Sequence, residues 1–147
     1  MKKVILSLAV LIYSTGSFAA CTKAGIVGTW KVRMPNSSMP GGIMGKCEFI
    51  VQKDGKLKNS SCEKAQYMPS MDKNPYPVIG NLTVGSSCDV IGTIKIDKTS
   101  DDYSSSQELV LEGDLNNKGN DVLIGTLKSI SQDPTYMDKD FYAIKIK

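Results

Sequence analysis

Four cysteines, Cys21, Cys47, Cys62 and Cys88, and no histidine set the chemistry open to this chain. Without an imidazole there is no Ser-His-Asp or Cys-His nucleophile, and the commonest nitrogen ligand for a metal is missing. If the four thiols pair as two disulfides, zinc-thiolate sites are lost as well. The remaining route to hydrolysis is a pair of carboxylates. Glu48, Glu63, Glu108 and Glu112 supply the residue type. Glu108 and Glu112, however, alternate with Leu109 and Leu111, as a solvated strand face does. The expectation is a protein that is not an enzyme and carries no cofactor.

Methionine is the other unusual type. Met34, Met39 and Met44 are spaced by five, and Met68 and Met71 follow in a second irregular stretch. Thioethers are soft ligands suited to Cu(I). Their commoner use is adaptable apolar filling, which favours a core or lid role. Trp30 is the single tryptophan. A lone strand Trp is usually a core plug, but with Tyr67, Tyr76 and Tyr142 it can also line a pocket. The candidate ligand-binding residues are therefore Trp30, Met39, Met44, Tyr67, Met68 and Tyr76.

The elements that would position these residues are strands. Apolar residues recur at every second position, with no sustained helical spacing. Alternation runs through Ile26-x-Gly28-x-Trp30-x-Val32-x-Met34 and Cys47-x-Phe49-x-Val51. It resumes at Leu57, Val78 to Val84, Cys88 to Ile96, Leu109 to Leu111, Val122 to Leu127 and Phe141 to Ile146. About eight short strands separated by turn residues predict an all-β antiparallel meander, closed or nearly closed into a barrel. Gly28, Gly80, Gly92, Gly113 and Gly125 recur inside these strands, where glycine serves sharp bending of a closed sheet. Two long aperiodic stretches, residues 35–45 and 64–77, would rim one opening.

Asp54-Gly55 predicts a two-residue hairpin turn with Lys53 opposite Lys56. Six residues further out along each strand stand Cys47 and Cys62, on one face. They fall at a hydrogen-bonded pair, whose Cα atoms lie about 5.5 Å apart. That separation suits a disulfide. Cys21 with Cys88 follows by elimination, tying the N-terminal segment to the fifth strand. The cysteines are read as staples, not nucleophiles.

The first twenty residues explain why thiols would be oxidised. Lys2 and Lys3 precede an apolar run from Val4 to Tyr13, then small and polar residues up to Ala20. This is the order of a cleavable signal peptide, with cleavage after Ala19 or Ala20. The run is too short for a membrane span, which needs about twenty residues. Taking those 20 residues from 147 leaves 127, enough for one domain at 21–147. Lys2 and Lys3 account for two of the +3 charges, so the remainder is near neutral. That balance does not point to nucleic acid. The expected location is secreted or periplasmic. Ala19-Ala20-Cys21 also resembles the end of a bacterial lipobox, but lipidating Cys21 would leave an odd thiol count.

Gly28-Thr29-Trp30 on the first strand resembles the Gly-x-Trp of calycin-like small β-barrels, which include lipocalins, avidins and bacterial inhibitors of secreted metalloproteases. Cys21 just ahead of it is similar to the avidin start. Cys47-Glu48-Phe49-Ile50-Val51 with Ser61-Cys62 is similar to the disulfide hairpin of the inhibitors. The resemblance covers about residues 21–62. Lipocalins set an arginine near the C-terminus against this tryptophan; here Arg33 is the only arginine, and Lys145 is the cation on the last strand. Avidins hold biotin with several tryptophans, so biotin is not expected.

The function expected is an exported non-catalytic binding protein, taking a small apolar molecule at the barrel mouth. The alternative is an interaction protein that inhibits an exported enzyme through residues 21–26 or a loop. A third reading is Cu(I) binding by methionine. The partner is thus a small apolar molecule or an exported protein, with no nucleic acid and no membrane span.

Overall fold

The computed structural model describes residues 21–34, 43–64, 74–97, 106–116, 120–130 and 138–146. A one-turn helix α1 (Lys23–Ile26) precedes eight strands. These are β1 (Gly28–Arg33), β2 (Ile43–Val51), β3 (Lys56–Lys64), β4 (Tyr76–Val84), β5 (Asp89–Ile96), β6 (Gln107–Leu115), β7 (Val122–Ser129) and β8 (Lys139–Ile146). Each strand pairs antiparallel with the next, and β8 pairs with β1 to close the barrel. The expected eight-stranded meander is thus the observed fold. The proposed leader, residues 1–20, lies outside the described residues.

Period-two patterning decides which side chains fill the interior. On β6, Gln107, Leu109, Leu111 and Leu115 are buried, while Glu108, Glu112 and Asp114 are exposed. The same alternation buries Trp30 and Val32, Tyr76 and Val78, and Phe141 and Ala143. Closure removes the unpaired strand edges that an open sheet would present. Sharp coiling brings strands into close approach at the inward glycines. A Cβ on Gly125 would overlap the Glu112 carbonyl oxygen and lie 2.5 Å from the Cα of Gly113, its partner on β6. The recurrent glycines therefore serve closure.

The β2–β3 hairpin differs from expectation in its turn. Gln52 N–H donates to the Lys56 carbonyl at 2.9 Å, and Gly55 N–H to the Gln52 carbonyl at 2.9 Å. Lys53-Asp54-Gly55 is thus a three-residue loop, with Gly55 at φ +89°, the left-handed conformation such loops require. The extra loop residue shifts the pairing to Val51 opposite Leu57. A bulge on β3, with Asn59 at φ 55°, then adds one residue to that strand and restores Cys47 opposite Cys62. Ser60 Oγ accepts the Ile50 N–H at 2.8 Å there.

Cys47 and Cys62 are bonded, with Cα atoms 4.0 Å apart. This is nearer the spacing of non-hydrogen-bonded pairs than the 5.5 Å expected, because loop and bulge replace an uninterrupted ladder. Cys21 is bonded to Cys88, 67 residues along the chain. Cys88 sits in the turn after β4, just ahead of β5. Both bonds fit an oxidising compartment. A second difference concerns Ile26. It belongs to α1, not to an alternating strand, and is buried there as a plug under the first turn.

Candidate functional site

The meander sorts its connections between two ends. At one end lie α1, the loop at 53–55, the turn at 85–88 and the connection 116–121, together with Cys21–Cys88. At the other end lie the strand termini joined through residues 35–42, 65–75, 97–106 and 130–138. All four long connections therefore belong to one end, because an antiparallel meander returns every second connection to the same side.

The short-turn end is sealed. Trp30 Nε1–H donates to the Ile26 carbonyl at 2.8 Å. Lys145 Nζ donates to the Gly25 carbonyl at 2.9 Å and stands 5.7 Å from the centre of the Trp30 ring. The cation thus covers an aromatic face and satisfies a helix-terminal carbonyl. Behind it, Ile26, Phe49, Leu123 and Phe141 leave a void of about 10 Å³, the lower bound for one water. Trp30 is therefore a plug.

Tyr76 opens β4 from the loop-bearing end, and it is absent from the lining of the small void beside Trp30. Met34 is buried at the loop-bearing end, with its N–H donating to the Gly45 carbonyl at 2.8 Å. Met39, Tyr67, Met68 and Met71 lie outside the described residues, as does the side chain of Met44.

One interior residue at the loop-bearing end was not singled out from sequence. Gln107 is 7 % exposed, opposite Ile96, and its Oε1 accepts no hydrogen bond among the described residues. It occupies the inward register of Leu109 and Leu111, so stepping back by two from Leu109 would have found it. A buried unpartnered amide oxygen costs about 1–3 kcal/mol.

The carboxylates are spread over the outer surface. Glu48 pairs with Lys31, Glu112 with Lys128 at 2.5 Å, and Glu63 with Lys46 at 3.7 Å. The Glu112 hydrogen bond raises the Lys128 ammonium above its usual pKa. No group of three His, Cys, Asp or Glu able to hold a metal occurs among the described residues. No described helix is long and apolar enough to cross a membrane.

No family model, curated protein or solved structure matches the chain. The functional reading consequently rests on the two ends of the barrel and on its outer surface. One end is closed by packed side chains, a disulfide and a helix. The other is where the long connections join the strands, and among the described residues it holds one buried polar atom without a partner.

Proposed function

We propose that this is a secreted or periplasmic, non-catalytic binding protein that recognises another exported protein through the loop-bearing end of its barrel, in the manner of an enzyme inhibitor. The observation that carries this reading is the sorting of all four long connections to one end of a barrel whose other end is sealed. Loops set on a rigid scaffold are where recognition is usually built. Packed side chains leave only about 10 Å³ around Trp30, which supports surface recognition over a molecule lodged deep at the sealed end.

The test is a panel of exported proteases and cell-wall hydrolases, titrated with the protein recovered in oxidised form. Stoichiometric inhibition is expected, and grafting short Gly-Ser connections at 65–73 and 131–137 should abolish it while the circular-dichroism spectrum is kept. Inhibition that survives both grafts would reject the loop-bearing end as the recognising surface.

A second reading has Gln107 behind it. An unpartnered buried acceptor at this end suits a small, mostly apolar molecule carrying one N–H or O–H donor. Stoichiometric uptake of a fluorescent fatty alcohol, lost in Gln107→Leu, would favour this reading over protein recognition.

A further inference from the structure

Seven large apolar side chains are well exposed among the described residues, and four of them share β7 and β8: Ile124 (61 %), Tyr142 (43 %), Ile144 (49 %) and Ile146 (39 %). The pairing makes them contiguous. Ile124 is directly opposite Tyr142, and half-buried Val122 is opposite Ile144. Contiguous apolar patches on a small protein commonly mark interaction surfaces. Closure leaves no strand edge for β-addition, so anything that covers this patch must dock face to face.

The charges around the patch select the occupant. One cross-strand row runs Asp114 on β6, Ile124 on β7, Tyr142 on β8 and Arg33 on β1. Among the described residues neither Asp114 nor Arg33 has an ion-pair partner. The row thus reads acid, apolar, apolar, base, and it is antisymmetric about its midpoint. The next row places Val122 and Ile144 side by side, with Lys31 at the β1 end. A two-fold axis lying along the strands between β7 and β8 maps this row onto itself reversed. Asp114 then meets the partner copy's arginine, and Ile124 meets its tyrosine. An axis running across the strands would set acid on acid. A self-complementary surface of this kind is what an isologous contact requires.

We propose that the outer face of β7, β8 and β1 is a homodimer contact whose two-fold axis runs along the strands, pairing Asp114 of each copy with Arg33 of the other. A contact built on these few side chains is expected to be concentration-dependent. This contact lies on the side of the barrel and does not depend on what the loop-bearing end recognises.

Sedimentation velocity on the oxidised protein, from about 1 to 500 µM, spans the range expected of a small interface. A monomer–dimer equilibrium is expected. Ile144→Lys and Ile124→Glu should shift it at least tenfold toward monomer, with thermal midpoints unchanged at concentrations where the protein is monomeric, because both side chains are exposed. Asp114→Arg alone and Arg33→Asp alone should each weaken the dimer, and the double swap should restore it. A protein that stays monomeric throughout overturns the proposal and leaves the patch to a foreign partner. A dimer indifferent to Ile124 and Ile144 overturns it too. A dimer weakened by the apolar changes but not rescued by the double swap rejects the axis along the strands.

Discussion

Lys145 performs two tasks with one ammonium. It neutralises the dipole of the Gly25 carbonyl and lies over the Trp30 ring. The two contacts together suggest that Lys145→Met will cost about 1–2 kcal/mol, a sum of one charged hydrogen bond and one cation–π contact. Lys145→Arg should keep most of that, since a guanidinium offers both a donor and a planar cation. Chemical denaturation of the three proteins measures the difference; equal losses for Met and Arg would deny the cation its role. Gln107 calls for the opposite result. Gln107→Leu removes an acceptor without a partner and keeps the volume close, so stability should rise by about 1 kcal/mol. A thermal midpoint higher by roughly 3–5 °C is the expected reading for a chain of this size. An unchanged or lower midpoint would show that Oε1 is satisfied in solution.

At the scale of elements, the β2–β3 hairpin shows how two irregularities compensate. A three-residue loop displaces the register by one, and the bulge at Asn59 displaces it back. The cysteines meet because both are present. Asp54 steadies the loop by accepting the Lys56 N–H at 3.0 Å, and that bond, foremost, holds its carboxyl below the ordinary value of 3.8. A carboxylate lowered in the folded state stabilises it above its unfolded pKa, and the benefit is lost as pH falls through the folded value. An NMR titration should therefore place the Asp54 midpoint below 3.8, and the hairpin amides should respond only in that acid range. A midpoint at or above the ordinary value would remove the loop's carboxylate contact. The Asp54-Gly55 signal was legible in sequence, and the turn length was not. Asp-Gly serves two-residue loops and also three-residue loops that end on a left-handed glycine, so the dipeptide alone does not set the length.

For the whole molecule, the decisive link is Cys21–Cys88. It ties the segment bearing α1 to the turn ahead of β5 across 67 residues. The chain-entropy account gives a loop of that size about 4 kcal/mol, against about 3 kcal/mol for the 15-residue loop of Cys47–Cys62. The pair Cys21→Ser with Cys88→Ser should accordingly loosen α1 and lower the denaturation midpoint, with Trp30 fluorescence shifting to the red as its cover is lost. A Trp30 emission that does not move would show that α1 stays docked without the bond. In the core pair, Cys47 and Cys62 are both buried, so replacement there adds a cavity to the lost cross-link.

Alternating apolar residues by themselves specified strands, their number and most of the side chains that face inward, because period two leaves a strand one way to bury a face; Ile26 in α1 and polar Gln107 fell outside that pattern. The spacing of Asp54-Gly55 from Cys47 and Cys62 specified one disulfide, and the count of four left the other. The closure of β8 on β1 came from the tertiary structure, which left Tyr76 out of the small void beside Trp30 and set Lys145 over the indole. It also aligned Asp114, Ile124, Tyr142 and Arg33 in one row from four separate strands. Such neighbours are set by sheet curvature and register summed around the whole barrel, and no local pattern in a chain records that sum.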